Sequence, residues 1–450
     1  HHAGLMPILR EMTEMLFARG FIKVLFCTET MSVGINLPVK TTIFTDVNKF
    51  NGEVMRTLYS HEYTQAAGRA GRLGLDTVGH VIHLNNLFRN VDSISYKQMM
   101  RGKPQTLTSK FKISYNLILN LLDIGDNNLV GFAGRSMVTG DVDVQLKQLT
   151  YKITTLTTEL DNLKVCVGTL RTPVEEITQF NILLRDRPNS VNKKRKVIER
   201  QIQELHDMYK FIEQDNLTFQ RVSAKEIEIY QLQAQFETIN ASIKSGVDRV
   251  LKLLNEEEYI DGEETTLKLS FRGKLASQIR ETHCLVFSRL VEQKAFDSLT
   301  SKQLVALFSI FTNISVQDDF KENVPKSDDE VVNQHINTIV DMYSEYQNKE
   351  LKYNINTGLD YKIQYDLLNY VEEWCDCDNM EACKLLLQKI GVEKEVFLGE
   401  FVKALLKINN ISNEMEKMAE LTGNMELLSK LKEIPNITMK YVVTNQSLYV

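Results

Sequence analysis

The chain has 450 residues, with 53 Lys and Arg against 59 Asp and Glu, a formal net charge of −6, 43% hydrophobic and 25% charged residues. That length exceeds one ordinary domain and predicts roughly two to four; the composition is that of a soluble globular protein and excludes disordered and fibrous classes. The acidic balance argues against a broad nucleic-acid-binding face, but a narrow channel needs only a few placed cations. No apolar run approaches the roughly 18 residues of a membrane helix. No signal peptide opens the chain, so no membrane partner is expected.

Residues 1–100 alternate short apolar runs with helical stretches. Val24-Leu25-Phe26 within 23–27, Thr42-Ile43-Phe44 and His80-Val81-Ile82-His83-Leu84 read as buried strands between helices, an α/β arrangement with a parallel sheet. Beyond 105 the strand signal fades, apart from a hairpin near 258–272 with Asp261-Gly262 at its turn. Val142, Leu146, Leu149, Ile153, Leu156, Leu160 and Leu163 alternate in steps of four and three. Ile198, Ile202, Leu205, Tyr209 and Ile212 repeat that spacing, as do Ile229, Leu232, Phe236, Ile239 and Ile243. Such sets line one helix face and favour a left-handed coiled coil. Ser223 with Glu226 reads as a capping box at the start of the last of these helices. Thr172-Pro173 and Arg187-Pro188-Asn189 punctuate between them, giving an antiparallel helical arm. The basic run Lys193-Lys194-Arg195-Lys196 within it reads as a solvated helix face in preference to an RNA contact. Residues 275–450 are mostly amphipathic helix, with a polar loop from Phe320 to Val331.

Six cysteines are scattered, three of them as C-x-C-x5-C at Cys375, Cys377 and Cys383. They lack the paired spacing and histidine partners of a zinc site, so free thiols and no metal are expected. With no signal peptide, this suits the nucleus or cytoplasm of a reducing cell, for a cellular or a viral gene.

Three clusters in the α/β part carry chemistry. They are His1-His2-Ala3-Gly4-Leu5-Met6-Pro7-Ile8-Leu9-Arg10-Glu11, then Thr28-Glu29-Thr30-Met31-Ser32-Val33-Gly34-Ile35-Asn36-Leu37-Pro38, then Gln65-Ala66-Ala67-Gly68-Arg69-Ala70-Gly71-Arg72-Leu73-Gly74. In the third, arginines at i and i+3 share one face if the segment is helical. Small residues between them let a backbone approach a ligand. Two planar guanidinium forks suit a polyphosphate, and an arginine reaching across a cleft can stabilise a departing γ-phosphoryl group.

These clusters resemble the second RecA-like domain of superfamily-two helicases. The third resembles helicase motif VI and the second motif V. The first is similar to the segment before motif V in DExH RNA helicases of the superkiller, exosome-assisting type, which accounts for the histidine pair without an affinity tag. Arg101-Gly102-Lys103-Pro104 with Phe111-Lys112-Ile113-Ser114-Tyr115-Asn116 resembles the start of that family's winged-helix domain. Arg272-Gly273-Lys274-Leu275-Ala276, Phe296-Asp297-Ser298-Leu299-Thr300 and Trp374-Cys375 resemble parts of its helical C-terminal region. The resemblance implies a partial RecA-like α/β domain over 1–100, a winged helix over 101–140, a helical coiled-coil arm over 141–246 and an α-helical bundle over 247–450.

It further implies ATP and Mg as cofactors, a single-stranded RNA 3′ end as substrate, a nuclease complex as partner, and 3′-to-5′ unwinding in RNA processing or decay. Arg69 and Arg72 would face the γ-phosphate, with Arg72 the better finger and Gln65 at the attacking water. Gly34, Asn36, Gly68 and Gly71 would lie at the nucleotide. Thr28 and Thr30 would touch the RNA backbone. His2 and Gly4 would lie on the RNA side, although the histidine pair suits packing equally well. Gly399 to Lys407 aligns with the ratchet helix that lines the RNA channel in this family, with Lys403 and Lys407 where the family prefers arginine, Leu406 at a third such position, and Asn409 and Asn410 at acidic ones. A solvated amphipathic face remains the other reading of that helix.

The sequence departs from the family in two ways. It contains no GxxxxGK[ST] phosphate loop and no DExH strand end, both of which belong to the first RecA-like domain together with the magnesium ligand. The 450 residues by themselves are therefore expected not to hydrolyse ATP. Residues 165–190 also lack the β-branched alternation of the small barrel that tips the family's arm. A non-catalytic RNA-binding scaffold and a DNA-repair helicase relative remain as alternative readings.

Overall fold

A computed structural model describes residues 1–2, 4–29, 39–50, 54–72, 74–84, 87–88, 91–102, 107, 109–167, 170–188, 192–262, 266–314, 316–441 and 443, without the side chains of 166, 167, 192 and 193. The chain divides into two compact units, one of residues 1–107, 112–127 and 249–450 and the other of 108–111 and 128–248.

In the first unit, Pro7 occupies the opening turn of α1 (Pro7–Ala18), where its missing N–H costs nothing. There follow β1 (Thr41–Phe44), β2 (Asn48–Phe50), β3 (Met55–Thr57), α2 (Ser60–Ala67), β4 (His80–His83) and α3 (Ser93–Arg101). β1 and β4 pair in parallel from Thr41↔His80 to Phe44↔His83. β2 and β3 form an antiparallel hairpin that the sequence reading had not assigned. A small core of Phe44, Val47 and Met99 is covered by Leu58, Tyr63, Ala66, Ala67, Val91 and Tyr96.

Two expectations fail here. Residues 23–27 form no strand, and Val24 and Phe26 are exposed, Phe26 by 82%. β-propensity reports fit to a pleated, half-buried surface, and no described strand lies alongside to supply one. The strands that do form are also not buried: Ile43, Val81 and Ile82 are exposed and only Phe44 reaches the core. Parallel sheets are buried when helices cover both faces; here the helices cover only the Phe44 end.

Ser114 caps α4 (Tyr115–Asp123) by accepting from Leu117 N at 3.2 Å. The second unit holds α5 (Leu129–Ala133), α6 (Met137–Val167), α7 (Val174–Asp186), α8 (Asn192–Met208) and α9 (Ile212–Asn240). Along 142–163 the seven residues of the heptad pattern are the positions that are not exposed. Leu160, Ile153, Leu156 and Leu163 of α6 pack against Val222 and Ile229 of α9, while Phe180 and Leu183 of α7 pack against Ile198, Ile202, Leu205 and Ile212. Asp215, near the start of α9, accepts from Thr172 N at 3.0 Å and Thr172 Oγ1 at 2.7 Å, just beyond the end of α6, so α9 runs back along α6. Ser223 is not a cap. It lies inside α9, because Val222 and Ile229 bury on one continuous seam that carries the helix through the Ser-x-x-Glu signal. The 198–212 set likewise spans two helices, with the break at 209–211.

α10 (Ser242–Glu256) begins in the second unit and ends in the first, whose remainder is mostly helical: the β5–β6 hairpin (Ile260–Asp261 with Lys268–Leu269), α11 (Phe271–Ser277), α12 (Cys284–Glu292), α13 (Ser301–Ser309), α14 (Glu330–Tyr353), α15 (Leu368–Asp376), α16 (Met380–Glu393), α17 (Leu398–Thr422) and α18 (Met425–Thr438). The hairpin near Asp261-Gly262 and the non-helical 321–329 segment agree with the sequence reading. α17 buries one face along its length, with Phe401, Ala404, Leu405, Ile408, Ile411 and Met415 fully buried. Trp374 meets Phe401 edge-on at 5.5 Å, and its indole N–H donates to Thr438 O at 2.9 Å, joining α15, α17 and α18. Each such buried apolar side chain contributes on the order of 1.5–3 kcal/mol.

Candidate functional site

α2 carries Gln65 in its exposed last turn and ends at Gly68, whose N–H donates to Thr64 O at 2.8 Å. A Cβ at 68 would stand 2.8 Å from that same oxygen. Arg69 and Arg72 then lie beyond the helix, not on one of its faces as their spacing suggested. The sheet edge captures the chain instead: Val39 N donates to Arg69 O at 3.2 Å and Gly71 N to Val39 O at 2.6 Å, with Ala70 bridging Val39 in parallel. Gly71 takes φ +97°, which glycine alone adopts without strain. The strand start at Gly79 runs so close that a Cβ there would stand 2.4 Å from Ala70 O. The Gly-Arg-Ala-Gly-Arg turn is therefore an element of the sheet, with its backbone pinned on two sides.

Arg72 donates to Asp76 through Nε at 2.7 Å and Nη2 at 2.9 Å, and Asp76 also accepts from Arg72 N at 3.0 Å. The hydrogen bonds from Arg72 pull the Asp76 carboxyl down to about 2. The Arg72 side chain stays 42% exposed, so the guanidinium is oriented by the carboxylate but not sealed inside the protein. Arg69 is half-buried.

At the other end of α2 lies a charge network that the sequence reading missed. Glu62, in the first turn of α2, accepts from Arg56 Nη1 at 2.7 Å and Nη2 at 2.8 Å, from Tyr59 N at 2.8 Å and from Lys49 Nζ at 3.1 Å. Lys49 also pairs with Glu29 at 2.7 Å. The Arg56 hydrogen bonds hold the Glu62 carboxyl at about 2. Asn51-Gly52 is a hairpin signal in the sequence, but a two-residue turn there would set Lys49 opposite Val54, whereas the strands pair Lys49 with Arg56.

The opposite set of candidates also converges. His1 buries its ring against Glu14, Nε2 to Oε1 at 2.6 Å, while the terminal amine donates to Phe26 O at 2.7 Å and Thr28 N to His1 O at 3.1 Å. The His2 ring stands edge-on to Phe397 at 6.3 Å and accepts from Gly4 N at 3.2 Å. Gly399 N donates to Gly4 O at 3.0 Å, so Gly4 and Leu5 dock on the first turn of α17. His1 thus has a packing role, whereas His2 is exposed beside the helix that carries Lys403 and Lys407. On α17 the incompletely buried positions include Glu400, Lys403, Lys407, Asn410, Glu414 and Lys417, a narrow stripe of mixed charge. Lys407 is ion-paired with Glu281. Asn409 is off the stripe: it is buried, with its amide donating to Leu405 O at 2.7 Å and Thr438 Oγ1 at 2.9 Å. Thr30, Gly34 and Asn36 lie outside the described residues.

The pinned turn carries two guanidiniums, Arg69 and Arg72, a chemistry suited to phosphate oxygens. Among the described residues, no group of three or more His, Cys, Asp or Glu converges to hold a metal ion. Free thiols are found at Cys27, Cys284, Cys375, Cys377 and Cys383. Among the described residues no helix is long and apolar enough to cross a membrane.

Residues 1–74 match the helicase conserved C-terminal domain, and residues 266–445 match the DSHCT (NUC185) domain. The chain is 49% identical over 124 residues to the ATP-dependent RNA helicase mtr4 of Schizosaccharomyces pombe, a stretch that is 28% of this chain and 11% of that protein. It is 50% identical over 125 residues to the antiviral helicase SKI2 of Saccharomyces cerevisiae, 28% of this chain and 10% of the relative. It is 40% identical over 165 residues to the DExH-box ATP-dependent RNA helicase DExH9 of Arabidopsis thaliana, 37% of this chain and 16% of the relative. The matched stretch is thus between about a tenth and a sixth of the length of these relatives. With both domains in chain order and the arginine turn at the end of the first, the chain is similar over these stretches to superkiller-type DExH RNA helicases.

Proposed function

We propose that this chain supplies the second motor lobe and the RNA path of an ATP-dependent RNA helicase that moves 3′ to 5′ along single-stranded RNA during processing or decay. The observation that carries the reading is the sheet-pinned turn at Arg69–Arg72, bonded to Val39 and pressed against Gly79. A guanidinium presented from a rigid backbone can meet charge developing on a γ-phosphate without reorganising. In this reading Arg72 is the finger, Arg69 a second phosphate contact, and Gln65 orients the attacking water. Gly68 and Gly71 let the nucleotide approach, together with Gly34 and Asn36. Asp76 holds the Arg72 fork until a phosphate competes for it. ATP supplies the free energy. Its magnesium would be held by a lobe that carries the phosphate loop, and no step is assigned to the metal through the residues of this chain.

RNA would run past Thr28, Thr30, His2 and Gly4 to the stripe of α17, where Lys403 and Lys407 offer point charges to phosphates. Docking of Gly4 and Leu5 on α17 supports one continuous path. Residues 101–140 would act as the winged helix, the α6–α9 pair as the arm, and α17 as the ratchet helix. A 3′ single-stranded end is the substrate, a nuclease complex the partner, and the nucleus or cytoplasm the location. The relatives' names, ATP-dependent RNA helicase and antiviral helicase, agree with this reading.

The test is Arg72→Ala in the full-length protein. ATP turnover should fall by about 10³-fold or more while RNA affinity holds. Undiminished turnover would end the proposal.

A further inference from the structure

The charge network around Glu62 joins two parts of the site that the proposed function keeps separate. Lys49 and Arg56 stand directly opposite each other on β2 and β3. Like charges at such a cross-strand position destabilise a hairpin, so this pair needs an anion to hold it. Glu62 is that anion, binding both cations from the N-terminal turn of α2, where the helix dipole favours a carboxylate. Arg56 also stacks 3.7 Å over the Tyr59 ring, fixing the hairpin to the residue that precedes α2. Lys49 extends the network the other way, to Glu29, the residue after Thr28. One lysine is therefore shared between the carboxylate beside the RNA-side threonine and the carboxylate that heads the helix leading to Gln65, Arg69 and Arg72.

We propose that Lys49 is a positioning residue that couples RNA contact at Thr28 to the nucleotide-facing turn, by being shared between Glu29 and Glu62. An RNA phosphate at Thr28 repels the Glu29 carboxylate. Lys49 is then released to Glu62, which draws the hairpin tighter onto the start of α2. The lysine touches neither ligand in this scheme; it transmits through the two carboxylates. A two-state element biased from both ends is the physical content of such coupling, and its strength must read the same from either ligand.

The inference rests on the motor reading, and its experiment separates the two. Full-length protein is assayed for ATP turnover with and without a single-stranded oligoadenylate, and for oligoadenylate affinity with and without a non-hydrolysable ATP analogue. Wild-type protein that shows no oligoadenylate-stimulated turnover overturns the motor reading, and this inference with it. If the wild type is stimulated, Lys49→Met should cut the stimulation at least about fivefold and also shrink the analogue-induced affinity shift. Turnover without oligoadenylate and affinity without nucleotide should stay at wild-type values, and Lys49→Arg should restore the stimulation. Unchanged stimulation in Lys49→Met, or a parallel fall of stimulated and unstimulated turnover with thermal stability, would overturn it. If Lys49→Met fails to fold, Glu29→Gln, at the exposed end of the network, must raise turnover without oligoadenylate towards the stimulated level, because Lys49 is then held by Glu62 alone; wild-type unstimulated turnover with full stimulation in Glu29→Gln would also refute the inference.

Discussion

Gly399→Ala tests the joint between the Gly4-Leu5 segment and α17. A Cβ at 399 would stand 2.3 Å from Leu5 O, 2.5 Å from Leu5 C and 2.7 Å from Gly4 O. All three are backbone atoms, so no side chain can swing aside. Ordinary contact begins at 3.4 Å, and the segment must retreat by about 1 Å. That retreat breaks the 3.0 Å bond from Gly399 N to Gly4 O. Overpacking costs about 1–3 kcal/mol, the lost hydrogen bond about 1 kcal/mol, and the gain in helix propensity returns up to about 1 kcal/mol. The net is a loss of about 1–3 kcal/mol. Gly391→Ala is the control. Gly391 lies inside α16 with nothing within 4 Å of its Cβ position. There the same substitution should stabilise by about 0.5–1 kcal/mol. The chain's single tryptophan, Trp374, is buried against Phe401 of α17, so its fluorescence in a urea titration reports the region holding both sites. Midpoints that move in the same direction for the two variants would refute the packing argument, as would a Gly399→Ala midpoint equal to wild type.

His283 is buried among Tyr115, Tyr343, Tyr346 and Tyr361, and burial pushes it down to about 3. The unfolded chain therefore binds that proton first, near the ordinary value of about 6.5. The stabilisation is complete above about pH 6.5 and is lost as pH falls from there towards 3. His283→Phe should flatten the urea-midpoint profile in that window, and an unaltered slope would count against the assignment. Asn409→Asp should destabilise more than Asn409→Leu, because a carboxylate there would be buried facing the Leu405 carbonyl; the reverse order in the same fluorescence assay would contradict it.

Much of this protein is legible from local pattern. The seven heptad positions of 142–163 are the ones that escape exposure in α6, because a helical seam is written at fixed spacing along one stretch of chain. The arginine string, with glycines where backbone must approach backbone or turn to positive φ, declares its chemistry by residue type. What the sequence left open depends on partners distant along the chain. Val24-Leu25-Phe26 has strand composition but no described neighbour to ladder with. Arg69 and Arg72 have helical spacing, yet Val39 takes their backbone into the sheet. Ser223-x-x-Glu226 carries a cap signal that burial of Val222 and Ile229 overrides. Lys49 and Arg56 become a like-charged pair only once a hairpin sets them opposite, and their shared Glu62 only once α2 packs there. Spacing and residue chemistry are properties of a segment and can be read directly. Ladder partners, burial and ion-pair networks are properties of two segments at once, and packing alone decides which two.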